Sequence, residues 1–230
     1  PDVMTLDIEL PRMSGLEFLR KLMPQYPMPV IVLSALSEKV FDAMQAGAVD
    51  FVAKPPAANK KDLENLLENE LPVKIKVAST AKISRIKHSA DTIDFRNNRR
   101  DDKKTIIAIG ASTGGTEAIA TVVKEFPADV PGTVIVQHMP AGFTASLAER
   151  LDNLSQIHVK EAAEGEELKK GWVYIAMGGK HLHVVTSPAG RHTLHLSEEP
   201  YREGVRPCAN YMYESLQDSR FDTVVCAVMT

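Results

Sequence analysis

Ser112 lies in the run TIIAIGASTGGTEAIATVV, residues 105–123, between an apolar stretch and a helix-like one. The Gly-x-Ser-x-Gly spacing around it admits two chemistries. Small neighbours allow a sharp strand-to-helix turn that lifts a serine hydroxyl clear as a nucleophile, with helix N-terminal amides placed for an oxyanion. Glycine-rich turns of the same kind also cradle phosphates, but residue types exclude the known forms. A Walker-type loop needs Lys and then Ser or Thr after its second glycine, and here Thr116 and Glu117 follow. A dinucleotide fingerprint needs G-x-G-x-x-G, whereas these glycines stand at 110, 114 and 115. A plain structural turn remains the alternative.

A nucleophilic serine needs a base, and the chain has seven histidines. His181, His183, His192 and His195 alternate along two strands flanking a turn, a pattern of surface or cross-strand packing, with no third ligand type for a metal. His88 falls in a polar stretch and His158 at a strand start. His138, in TVIVQHMP, closes the strand after the Ser112 unit. The carboxyl ends of neighbouring parallel strands share a crevice, so His138 could take the Ser112 proton there. A hydrogen-bonded core histidine is the competing reading.

A second constellation precedes this one. Asp7 ends the apolar run VMTLDI, Ser34 ends VIVLS, and Lys54 follows DFVA. A carboxylate, a hydroxyl and an ammonium at three strand ends could hold an aspartyl phosphate, with Asp7 as acceptor and Ser34 and Lys54 on the phosphoryl oxygens. A structural Asp7–Lys54 ion pair fits the spacing equally well.

The elements that must position these groups alternate. In residues 1–58 the strands VMTLDI, MPVIVLSAL and VDFVAKPP are separated by helices. The first helix carries Leu16, Leu19, Leu22 and Met23 at helical spacing, and the second closes at Gly47. KKDLENLLENEL adds a short amphipathic helix. From Leu71 to Lys104 periodicity fades into polar, charged sequence, so residues 59–104 read as a terminal helix and linker. Residues 105–230 resume the strand–helix alternation and add a hairpin at SPAG, expected at one end of the sheet. The fold class is α/β: a partial doubly wound parallel sheet, a linker, then a mostly parallel doubly wound domain with a small antiparallel hairpin.

Composition narrows the function. The chain has 230 residues, is 44% hydrophobic and 25% charged, and carries a net charge of -3, so no basic field suits it to nucleic acid. No apolar run reaches the roughly 18–20 residues that cross a bilayer, and no signal peptide is present, which makes the cytoplasm the expected location. Cys208 and Cys226 have no metal-type spacing and are expected to be buried thiols. Beginning at Pro1 before one apolar strand and stopping at Thr230 after another, the sequence reads as a fragment cut at both ends.

The motifs carry a resemblance. LDIELPRMSGLEFL, PVIVLSA and AGAVDFVAKP are similar to the second half of a response-regulator receiver domain. IIAIGASTGGTEAI, IVQHMPAGFTASLAERL, WVYIAMGGKHLHV, RPCANYMYESL and VVCAVMT resemble the catalytic domain of the chemotaxis protein-glutamate methylesterases, the CheB type. The order receiver, linker, esterase is the order of that family. The resemblance implies hydrolysis of glutamyl γ-methyl esters, and deamidation of certain glutamines, on methyl-accepting chemotaxis receptors, with a chemotaxis histidine kinase as phosphodonor. It implies Ser112 as nucleophile and His138 as general base, with Thr113, Gly114 and Gly115 in the active-site turn. Asp7 then matches the phosphoacceptor, Ser34 the switch hydroxyl and Lys54 the invariant lysine. The esterase needs no cofactor; receiver phosphorylation needs Mg²⁺, held by an acidic pair that would lie before Pro1. The triad aspartate would lie beyond Thr230, so this polypeptide is expected to be weakly active or inactive. The competing function is a response regulator whose output domain binds protein without catalysis.

Overall fold

The computed structural model describes residues 1–35, 37–55, 60–81 and 105–229. The chain divides into two units, Pro1–Asp101 and Asp102–Thr230.

In the first unit, β1 (Met4–Asp7), β2 (Val30–Ser34) and β3 (Asp50–Ala53) form a parallel sheet in the order β1-β2-β3. β2 is central, with Val30, Ile31 and Val32 fully buried, as a β-branched run covered on both faces should be. α1 (Gly15–Gln25) starts where the Ser14 hydroxyl accepts from the Glu17 N–H at 3.2 Å, and α2 (Ser37–Gln45) runs between β2 and β3. The turn after α2 takes Gly47 to a φ of +106°, which favours glycine.

Beyond β3, α3 (Lys60–Asn65) passes through a π-helical turn, Leu66–Glu70, into α4 (Leu71–Ala78). Helical structure thus continues past Leu71, where hydrophobic periodicity fades. A tertiary contact explains it: Lys74 Nζ donates to Asp50 Oδ1 at 3.0 Å and to the Phe51 carbonyl at 2.7 Å, fastening α4 to β3. Both side chains are largely shielded, 19% and 7% exposed, so removing either partner would leave the other charge buried and uncompensated. Residues 82–104, including His88 and most of the expected linker, lie outside the described residues.

The second unit is built on five parallel strands in the order β10-β4-β5-β7-β6. Their spans are β4 Thr105–Ala111, β5 Thr133–Gln137, β6 His158–Glu161, β7 Trp172–Ile175 and β10 Thr223–Met229. α5 (Gly115–Val123) follows β4, α6 (Phe143–Leu154) follows β5, and α7 (Ala209–Ser215) precedes β10. Every residue of β5 is buried. Ile106, Val134, Val136, Tyr174, Leu182 and Met212 belong to one core cluster. Tyr174 is fully buried there; burial pushes its hydroxyl up to about 12, and it donates to the Glu167 carbonyl at 3.0 Å.

β8 (His181–Thr186) and β9 (His192–Ser197) form an antiparallel hairpin that is a separate two-stranded sheet, not an end of the parallel one. Its edges are met by other structure. The Val184 N–H donates to Ser215 Oγ of α7 at 2.9 Å, and the Leu194 N–H donates to the Glu166 carbonyl at 2.8 Å. Among the described residues, no helix is long and apolar enough to cross a membrane.

Candidate active site

β4, β5 and β10 run parallel, so their carboxyl ends open on one side of the sheet. A cleft of about 220 Å³ lies there, lined by Ser112 and Gly110 of the β4 end, His138 after β5, and Val228 and Met229 of β10. The structure therefore brings Ser112 and His138 to one cavity. Asp222 immediately precedes β10, at the opposite end of that strand, and Asp218 comes earlier still, so neither carboxylate approaches from the cleft side.

The glycines of the turn act in different ways. Gly114 caps α5 with a φ of +76°, the left-handed region that glycine enters without steric cost. Gly115 has no room for a side chain: a Cβ would lie 2.2 Å from Gln137 Oε1 and 2.7 Å from the Ala111 Cβ. At Gly110 a Cβ would meet Tyr213 Oη at 2.7 Å and the Ala209 Cβ at 2.9 Å, so α7 can lie close over β4 only because that position is bare. Thr113, next to the serine, belongs to the turn itself and does not line the cleft.

The remaining wall comes from residues that sequence reasoning did not select. Glu203, Cys208, Ala209, Asn210 and Tyr213 line it from α7 and the segment before it. Asn210 Nδ2 donates to Glu203 Oε1 at 2.9 Å, and Glu203 holds a positive φ of 55°. Tyr213 Oη donates to the Ala227 carbonyl at 2.6 Å, tying α7 to β10, and burial raises its pKa. The run RPCANYMYESL carried a family resemblance but no chemical motif.

Cys208 is buried, as expected of both thiols, but Cys226 is exposed. β10 is the outer strand of its sheet and pairs with β4 alone among the described strands, which leaves Cys226 accessible. His181 is fully buried: its Nδ1 accepts the Cys208 N–H and its Nε2 donates to the Pro200 carbonyl, each at 3.1 Å. That pattern holds the neutral ring, and burial lowers its pKa. His183 and His195 face one another across the hairpin, and His192 stacks on Phe221.

In the first unit, Asp7, Ser34 and Lys54 converge at the carboxyl ends of β1, β2 and β3. Lys54 Nζ donates to Asp7 Oδ2 at 2.5 Å, and the Glu9 N–H donates to Asp7 Oδ1 at 2.8 Å. Partial burial opposes ionisation of Asp7, but these two bonds outweigh it and hold the carboxyl below its ordinary value. Ser34 is fully buried, and its carbonyl accepts the Lys54 N–H at 2.9 Å. Among the described residues, no group of three His, Cys, Asp or Glu gathers as a metal-binding set. The described residues around Asp7 do not by themselves make up a Mg²⁺ ligand set.

Comparisons with known proteins agree with this division. Residues 107–230 match the family described as CheB methylesterase, and residues 1–81 match the response regulator receiver domain. The chain is 46% identical over 230 residues to protein-glutamate methylesterase/protein-glutamine glutaminase 2 of Syntrophomonas wolfei, covering 100% of this chain and 67% of that protein. It is 43% identical over 244 residues to protein-glutamate methylesterase/protein-glutamine glutaminase of Nitrosomonas europaea, with the same two coverages. The chain spans about two thirds of the length of these curated relatives. The solved CheB methylesterase catalytic domain of Thermotoga maritima matches with 37% identity and a TM-score of 0.52, covering 54% of this chain and 66% of that one. With a receiver region ahead of a Ser112–His138 cleft on a mostly parallel sheet, the chain belongs to the CheB methylesterase family.

Proposed function

We propose that the chain carries Ser112 and His138 as nucleophile and base of an enzyme that hydrolyses glutamyl γ-methyl esters, and deamidates particular glutamines, on methyl-accepting chemotaxis receptors, under control of phosphorylation at Asp7, with residues 1–230 alone expected to be weakly active or inactive. The carrying observation is that Ser112 and His138, at the ends of adjacent parallel strands, open onto one cleft. The names of the relatives, protein-glutamate methylesterase/protein-glutamine glutaminase, support the substrate class.

In this reading Ser112 Oγ attacks the ester carbonyl while His138 takes its proton. The tetrahedral adduct collapses, and His138 returns the proton to the leaving methoxide oxygen, releasing methanol, or to the leaving amide nitrogen, releasing ammonia, when glutamine is the substrate. Water, deprotonated by His138, then cleaves the acyl-enzyme to free Ser112 and a glutamate carboxylate. The Gly115 N–H is already given to the Ser112 carbonyl, so in this reading the developing oxyanion would be met by other backbone amides at the start of α5.

A chemotaxis histidine kinase would supply the phosphoryl group to Asp7. Phosphorylation replaces one carboxylate charge with about -1.5 to -2 and draws Lys54 from the carboxylate to the phosphoryl oxygens. Rotation of the Ser34 hydroxyl toward that group would carry the change into the buried sheet.

The test is methanol release from a glutamyl methyl ester peptide, together with covalent labelling by a fluorophosphonate. Ser112→Ala, with its fold intact by circular dichroism, is expected to abolish both. Retained hydrolysis would refute the nucleophile assignment. Receptor-peptide binding together with labelling that does not depend on Ser112 would make it a protein-binding output domain instead.

A further inference from the structure

We propose that Gln137 is a positioning residue that holds the nucleophile's own backbone in register with the base. The inference rests on the assignment of Ser112 and His138 above and adds a residue that touches neither substrate nor reacting atoms.

Gln137 ends β5, after the apolar run Val134–Val136, and is 3% exposed. Its Nε2 donates to the Ser112 carbonyl at 2.9 Å. The next residue along, His138, donates its N–H to the Ala111 carbonyl at 3.1 Å. Two consecutive residues of β5 and its end thus hold two consecutive carbonyls of the turn, and one of the two holders carries the base. The Ser112 carbonyl also accepts the Gly115 N–H at 2.8 Å, a bond local to the turn. Among the described residues, Gln137 ties that carbonyl to the strand end that His138 follows.

Filling space does not explain an amide here. Gln137 Oε1 is buried with no hydrogen-bond partner among the described residues, an unfavourable state that methionine of similar length would avoid. The amide is inferior to an apolar side chain for stability and superior only in what Nε2 holds. Gly115 is bare at the point where Oε1 lies, so the turn is shaped around this side chain. Gln137 is not among the residues lining the cleft, which separates its role from substrate binding. Its action is on the Ser112 backbone, and through it on where Oγ points relative to His138.

The experiment compares the unaltered chain, Ser112→Ala and Gln137→Met by fluorophosphonate labelling, ester hydrolysis and thermal melting. For Gln137→Met, labelling rate and kcat are expected to fall by about 10- to 100-fold, the range for a small misplacement of a reacting group. KM should stay within about twofold and the melting temperature should be unchanged or higher. A residue that merely supported the fold would lower the melting temperature and leave the labelling rate per folded molecule unchanged. Labelling of Gln137→Met at the unaltered rate would overturn the proposal. Should that variant not fold, Gln137→Glu at alkaline pH keeps the shape while removing the donor, with the same expected loss and the same overturning result. Labelling that persists unchanged in Ser112→Ala would defeat the nucleophile assignment itself, and this inference with it.

Discussion

Gly110→Ala probes the contact that builds the cleft wall. The added methyl would lie 2.7 Å from Tyr213 Oη and 2.9 Å from the Ala209 Cβ, so α7 must move outward or Tyr213 must rotate. Overpacking of this kind costs about 1–3 kcal/mol. Rotation of the ring also forfeits the 2.6 Å bond to the Ala227 carbonyl, about 1 kcal/mol. Against this, replacing glycine reduces the freedom of the unfolded chain and recovers roughly 0.4–1 kcal/mol. The net expectation is a loss of about 1–3 kcal/mol. Trp172, the single tryptophan, lies in β7 of the second unit, so its fluorescence during urea unfolding reports on that unit. Tyr213→Phe removes the hydroxyl that the new methyl strikes. The double variant is therefore expected to lose about 1 kcal/mol less than the sum of the single losses. Additive losses, or a Gly110→Ala change under about 0.5 kcal/mol, would show that α7 does not depend on the bare strand position.

Two further outcomes follow from other contacts. Lys74→Met takes the ammonium from Asp50, which is nearly buried, and is expected to destabilise the first unit by about 3 kcal/mol, with the Phe51 N–H still bonded to the same carboxylate. Hydrogen exchange of the β2 and β3 amides measures it, and a change below about 1 kcal/mol would count against the fastening role of α4. Burial lowers the folded pKa of His181 below the ordinary 6.5, so as pH falls the unfolded chain takes up the proton first. The stability it contributes is whole above 6.5 and is lost as pH drops through that value toward the lower folded one. His181→Gln should reduce the loss of stability between about pH 7 and pH 5, though half-buried His192, whose pKa burial also lowers, retains part of it. An unchanged pH dependence would place the acid sensitivity elsewhere.

Much of the architecture was legible because it is local. A β-branched run such as VIVLS and a helix spaced Leu16, Leu19, Leu22 state their geometry within a few residues, and the parallel sheets follow from the alternation. The meeting of Ser112 and His138 was legible for the same reason: each closes a strand, and consecutive strands of such a sheet adjoin. What escaped is set by contacts between distant segments. The far wall of the cleft is delivered by α7, about a hundred residues after Ser112, and nothing in ANYMYES declares which strand it will cover. The separate hairpin, the continued helix at Leu71 and the exposed Cys226 are likewise decided by partners, Ser215, Asp50 and an outer strand position, that lie far along the chain.

The turn at 110–115 concentrates that lesson. Its three glycines look alike as letters, and a reading from spacing assigns them one job, to let the chain bend. In the folded chain only Gly114 has the backbone angle that such a job requires. Gly110 is bare because α7 comes within reach of its missing side chain, and Gly115 because Gln137 does. Two of the three therefore record neighbours rather than a bend, and those neighbours stand on opposite sides of Ser112. One is the helix that walls the cleft, and the other is the strand end that carries His138. In the proposed reading, a serine turn held from both sides would keep its hydroxyl in constant relation to the base, as a nucleophile and its proton acceptor need. The small residues around Ser112 are thus better understood as space reserved for the parts that aim it.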